Sequence, residues 1–95
     1  MHYRITRLKH SEENQSGVTA YLESVTDEIE SIDGLLSITL LSVSKTETLG
    51  LSHYESEEKM INANSVQQKV LAGAAELLSG APEMENGDAL WGWSR

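Results

Sequence analysis

Apolar and polar residues alternate through HYRITRLK (2–9), with Tyr3 and Ile5 on one side and Arg4, Thr6 and Leu8 on the other, which predicts a strand. The polar stretch SEENQSG (11–17) predicts a loop. From there the period lengthens. Val18, Leu22, Val25, Ile29 and Ile32 recur at four- and three-residue steps, an amphipathic helix whose carboxylates lie mostly off the apolar stripe. Gly34 follows the last periodic residue, where a left-handed C-cap is expected. LLSITLLSV (35–43) returns to period two. After the turn SKTE (44–47), TLGLSHY (48–54) predicts a strand that pairs with it as a hairpin. Ser56 is placed to cap a helix beginning at Glu57, with Glu57 and Glu58 against its positive end. That helix turns Met60, Ala63, Val66, Val70, Ala74 and Leu77 toward the core, and SGAP (79–82) ends it. A turn at ENGD then leads to a closing strand, DALWGWS (88–94).

The order β-α-β-β-α-β predicts an α+β, ferredoxin-like domain spanning 1–95, with an antiparallel sheet. Right-handed crossovers place both helical segments on one face, so the other face is bare. If Tyr3, Ile5, Leu36, Ile38, Leu40, Leu49 and Leu51 face the helices, alternation sends Arg4, Thr6, Leu8, Ser37, Thr39, Leu41, Val43, Ser52 and Tyr54 to the bare face. With Leu90 packed under the helices, Trp91 and Trp93 join them. Such a patch wants cover. A second copy of the sheet is the simplest cover, giving a homodimeric α+β barrel with a closed space between the sheets.

Trp91, Trp93, Thr6, Thr39 and Ser52 would line that space as ligand contacts, and it suits a flat aromatic or weakly anionic ligand. Tyr54 and Arg4 would hold a developing oxyanion. The structural alternatives are Trp residues that pack the dimer interface and an Arg4 that pairs with a carboxylate. His53 alternates with Leu49 and Leu51, so it is expected on the helix side at a strand end. Gly50, inside a strand, marks a bulge or a close approach.

Composition narrows the classes. Ninety-five residues with 39% hydrophobic and 23% charged content fit one globular domain. The net charge of −8 is unevenly spread. Residues 1–10 carry Arg4, Arg7 and Lys9 and no acid, whereas residues 11–34 carry seven carboxylates and no base. No broad basic face exists for a phosphate backbone, so a nucleic-acid partner is not expected. The absence of Cys excludes disulfides, thiolate metal sites and cysteine nucleophiles. His2 and His10 are eight apart, which is no metal spacing, and no metal site is expected. Neither a membrane-spanning apolar run nor a signal peptide is legible, so a cytoplasmic protein with no membrane partner is the expectation. The chain has no P-loop, dinucleotide fingerprint or nucleophile elbow.

IDGLLSITLL, LGLSHYESEEKM and LAGAAELLSGAPEMENGDALWGW together resemble the antibiotic biosynthesis monooxygenase-like proteins of the dimeric α+β barrel superfamily. The resemblance runs from about Gly17 onward. It rests on Gly34-Leu35 at the helix end, Tyr54-Glu55-Ser56-Glu57 entering the second helix, and Ala81-Pro82 before the last strand. It implies the dimeric fold. It also implies, for some members, oxidation of aromatic substrates without metal or flavin, so no cofactor is expected. Haem-degrading relatives carry an Asn on the first strand with a His and a Trp near the second helix; this chain has none of these there. Two readings stay open. One is a cofactor-independent monooxygenase on an aromatic, quinol-like substrate; the other is a non-catalytic dimeric ligand-binding or stress-related module.

Overall fold

A computed structural model describes residues 1–95. Strands β1 (His2–Lys9), β2 (Leu35–Ser44), β3 (Glu47–Tyr54) and β4 (Glu83–Asp88) form one sheet in the order β2-β3-β1-β4. All neighbouring strands are antiparallel. Helices α1 (Gln15–Ser24) and α2 (Thr26–Glu30) fill the first connection, and α3 (Glu57–Asn62) and α4 (Asn64–Gly73) fill the second. The expected ferredoxin-like βαββαβ order is the observed one.

Each expected helix is broken in two. The first starts earlier than its apolar stripe, through a 3₁₀ turn at Glu12–Asn14, inside the expected loop. It kinks at Val25, whose backbone leaves the helical region (φ −111°, ψ 22°). The second is interrupted at Ala63 and finishes as a 3₁₀ turn at Ala75–Leu77. Ser56 caps it as expected, its hydroxyl accepting from the Lys59 amide at 3.2 Å. Gly34 takes the left-handed conformation that only glycine adopts freely (φ +81°), and the Glu55 amide donates to its carbonyl at 2.9 Å.

The last strand departs from expectation. It is Glu83–Asp88, which takes in the ENGD (85–88) expected as a turn, and not 88–94. The cause is the length of chain left to travel. The Ser79 amide already donates to the Lys9 carbonyl (2.8 Å), so the chain must run back along β1 at once. It pairs Glu83 with Arg7, Asn86 with Arg4 and Asp88 with His2. By Ala89, whose amide donates to the Met1 carbonyl (2.9 Å), β1 is exhausted. Residues 89–95 therefore project past the sheet, with Leu90 fully exposed. An edge strand needs no apolar face, and this one has every residue exposed.

The faces of two strands are also the reverse of those expected. On β1, His2, Arg4, Thr6 and Leu8 are buried under the helices, opposite Tyr54, Ser52, Gly50 and Thr48 of β3. Tyr3, Ile5, Leu49, Leu51 and His53 therefore lie on the uncovered face. Strand β2 is oriented as expected at Ile38 and Leu40, which face the helices beside Ser52 and Gly50, but not at Leu36: the register shift after Leu35 packs Leu35 against the core and leaves Leu36 exposed. Alternation sorts residues into two sets without saying which set is covered. Assigning the more apolar set to the helices fails here because the uncovered face is itself strongly apolar. Gly50 is regularly paired on both sides; the register shifts lie on β2, between Leu35 and Ser37 and between Ser42 and Ser44. No helix is long and apolar enough to cross a membrane.

Candidate functional site

A chamber of about 80 Å³ lies between the inner face of the sheet and the helices. Its floor is low because the central strands place small side chains there: Thr6 on β1, Gly50 and Ser52 on β3. Ile38 and Leu40 wall one side, and Val18, Tyr21, Leu22, Ile29 and Ile32 descend from the first helical segment. Gln67, Val70, Leu71 and Ala74 of α4 complete the roof. Nearly all of the lining is apolar, so an apolar guest is favoured by desolvation alone.

The roof is pinned by Tyr21, whose hydroxyl donates to the Val70 carbonyl at 2.6 Å. That reach requires Gly73: a Cβ there would collide with the Tyr21 oxygen. The approach of α1 to α4 therefore depends on a residue without a side chain.

Tyr54, 2% exposed, lines the chamber, and the Arg4 guanidinium, which does not line it, sits 5.6 Å from the centre of the Tyr54 ring. Arg4 is itself 4% exposed. Its Nη2 donates to the Met60 carbonyl (3.2 Å), which also accepts from the Ala63 amide where α3 ends, and to Asn64 Oδ1 at the start of α4. Its Nη1 is buried with no partner. No carboxylate lies within ion-pair distance of it, so carboxylate pairing, one of the two roles open to Arg4, does not occur within the chain.

Beyond Arg4, at the sheet margin, His2 is buried with Nδ1 2.7 Å from the Asp88 carboxylate and Nε2 3.0 Å from Asn86 Oδ1. With an acceptor at each nitrogen, the imidazolium is the favoured form. The Asp88 hydrogen bond, then that of Asn86, raises the His2 pKa above its ordinary 6.5, against a smaller desolvation cost. The same bond holds Asp88 below its ordinary 3.8. At the opposite end His10 is buried and satisfied, between the Ser11 carbonyl and the Thr48 hydroxyl, both at 2.8 Å. No three His, Asp or Glu side chains are grouped as a metal site would need.

Of the residues singled out in the sequence, Arg4, Thr6, Ser52 and Tyr54 come together, under the helices and not on the bare face. Thr39 is separated from them: it pairs with Leu51 on the uncovered face. Trp91 and Trp93 are past the last strand, 82% and 68% exposed, so the expected wall of indoles on the sheet is absent from the protomer. His53 is on the uncovered face and not the helix side, stacked on Tyr3 with ring centroids 4.3 Å apart. Sequence reasoning missed Asn64, Tyr21 and Gln67. Gly50 between Leu49 and Leu51 was the one signal for the low floor; it marks neither a bulge nor a close approach, since a Cβ there would meet its neighbours Leu40 and Thr6 no nearer than 3.5 Å.

No family model matches the chain, and no curated protein matches it significantly. Solved structures do. A monooxygenase from the gene ActVA-Orf6 of Streptomyces coelicolor, in complex with the ligand Nanaomycin D, superposes with a TM-score of 0.83 at 16% identity, covering 99% of this chain and 91% of that one. A dimeric ferredoxin-like protein from an uncultured marine organism gives 0.81 at 13% identity, covering 99% and 91%. Rv0793 from Mycobacterium tuberculosis gives 0.76 at 20% identity, covering 98% of both chains. At these identities the likeness is one of fold. The chain has the ferredoxin-like fold found in antibiotic biosynthesis monooxygenase-like proteins.

Proposed function

We propose that this is a small-molecule-handling protein that works as a homodimer and oxidises a compact aromatic ligand in the chamber under its helices, without a cofactor. The observation that carries this reading is the chamber itself: apolar walls that include the buried Tyr54, against whose ring the Arg4 guanidinium lies. A monooxygenase of the same fold, in complex with the ligand Nanaomycin D, supports the assignment of class. The free volume of about 80 Å³ is roughly half that of the ~150 Å³ apolar cavity that takes benzene. A ligand larger than a single ring is therefore excluded, and even one ring requires the short helices of the roof, broken at Val25 and Ala63, to move apart.

The reaction is the conversion of a phenol to a quinone by dissolved dioxygen. One oxygen atom replaces hydrogen on the ring, the ring's C–H and O–H hydrogens leave with the other oxygen as water, and C₆H₆O + O₂ becomes C₆H₄O₂ + H₂O. Arg4 and the Tyr54 hydroxyl stabilise the ring oxygen as it gains negative charge. Thr6 and Ser52, on the floor, position the ring edge. Thr39, Trp91 and Trp93 lie outside this arrangement in the protomer and reach a ligand only where a second copy brings them.

The second copy covers the uncovered face. Ile5, Leu49, Leu51 and Leu41 form its apolar centre, with Arg7 on the same face as Glu83 and Glu85 of the edge strand. Two such faces related by a two-fold axis bring apolar centres together and offer each Arg7 an acidic partner. The dimeric ferredoxin-like relative supports this assembly.

A second reading, binding without turnover, is favoured by one observation: no His and no carboxylate lines the chamber to take the phenol's proton. Oxygen uptake by the purified protein with a panel of phenols and hydroquinones decides between them. Turnover that is lost in Tyr54→Phe, with binding retained, supports the oxygenase. Binding with no oxygen uptake for any phenol leaves the module reading standing.

A further inference from the structure

The two edges of the sheet are unlike. Edge strand β4 is guarded by the carboxylates of Glu83, Glu85 and Asp88. Edge strand β2 runs from Leu35 to Ser44 with no charged residue and no proline. Between its two register shifts it pairs regularly with β3 from Ser37 to Ser42, so the outer side of that stretch presents a regular row of unpaired backbone groups. Leu36, Ile38, Leu41 and Val43 on this strand are 40% to 54% exposed. The chain also carries a segment fit to pair there. Leu90, Trp91 and Trp93 follow β4 and are without cover in the protomer, and in an extended chain the two indoles share a face.

The segment cannot serve its own β2. The Ala89 amide is held by the Met1 carbonyl, and Trp93 is four residues on, a reach of at most about 14 Å. The free side of β2 is four strand spacings from β4, about 19 Å across the sheet. We infer that residues 89–95 of each protomer add to the free edge of β2 in a second copy, over Ser37–Ser42, as a fifth strand. The inference rests on the homodimer proposed above. Leu41 belongs both to this edge and to the apolar centre of the uncovered face, so the two contacts are continuous. Both faces of β2 are apolar, with Ile38 and Leu40 on one and Leu41 on the other, so the indoles find cover whichever way the added strand faces. Charge agrees: Arg95 is the one charged side chain of 89–95, while the segment leading into β2 (11–34) carries seven carboxylates and no base. Backbone pairing supplies the bonds and the indoles the buried area.

Both tryptophans of the chain lie in this segment, so intrinsic fluorescence reports it alone. In the intact protein, dilution followed by fluorescence and sedimentation together should show indoles shielded from acrylamide in the dimer and solvated in the monomer. Hydrogen exchange, at a concentration where both proteins are dimeric, should find the outward amides of 37–42 slow in wild type and fast in Trp91→Ser/Trp93→Ser. The double variant should weaken the dimer about a hundredfold, as the loss of two aromatic anchors predicts. A wild-type dimer with solvated indoles, or with 37–42 exchanging as fast as in the variant, overturns the inference and leaves the homodimer standing. Indoles shielded equally in monomer and dimer overturn it as well. A monomer at every concentration overturns the homodimer reading and the inference with it.

Discussion

Under the helices the two central strands present His2, Arg4, Thr6, Thr48 and Tyr54, whereas the uncovered side of the same strands presents Tyr3, Ile5, Leu49 and Leu51. A domain stabilised only by its own core would place them the other way round. The fully buried apolar set is correspondingly small: Leu8, Val18, Tyr54, Met60, Ala63 and Ala74. The covered face spends its burial on hydrogen-bonded polar groups and an open chamber. The uncovered face keeps the apolar surface that a second sheet would bury. The difference between the faces is one of purpose, a site inside and an interface outside.

The largest expected effect comes from breaking the outer face. Leu51→Lys puts two unpaired charges, one per protomer, into the proposed interface, at about 3–5 kcal/mol for each buried unpaired charge. Sedimentation should show the dimer constant weakened by more than about a hundredfold, with the circular dichroism of the protomer unchanged. A dimer that survives would mean that the faces do not meet.

Gly73→Ala acts on the covered side only. The added Cβ evicts the Tyr21 hydroxyl from Val70 or pushes α4 away, costing about 2 kcal/mol in urea unfolding. Dimer affinity should not change. Ser56→Ala removes the cap of α3 and should cost about 1 kcal/mol, again without touching the outer face.

The least effect is a pH dependence at the covered face's margin, muted because Asp88 is largely exposed. His2 is raised above 6.5, so its stabilisation is complete below that value and fades as pH climbs through the folded-state pKa. Asp88 is lowered below 3.8, so its share is present above that value and fades as pH falls through the folded-state pKa. The stability advantage of wild type over His2→Gln should therefore be larger near about pH 5.5 than near about pH 9. An advantage that does not vary with pH would remove the charged pair from the account.

Much of the fold was legible because its signals are local. The apolar steps from Val18 to Ile32, Gly34 at φ +81° and the Ser56 cap each depend on a few neighbouring residues. The site was legible in part. Arg4, Thr6, Ser52 and Tyr54 share a face by period two alone, and the structure keeps them together. What alternation cannot tell is which side of the sheet the helices cover, and the rule that apolar means covered misleads when a protein keeps an apolar face for a partner.

The sequence by itself therefore determined the order of the elements, the bounds of the first three strands and the grouping of residues along β1 and β3, since these follow from backbone geometry and chain chirality. Only the tertiary structure decided that the polar set lies inside and that 83–88, not the Trp-bearing tail, closes the sheet. It alone left Arg4 Nη1 without a partner. Those outcomes depend on how far the chain has left to travel after α4 and on which groups from distant elements meet. Neither is written in any short stretch of residues.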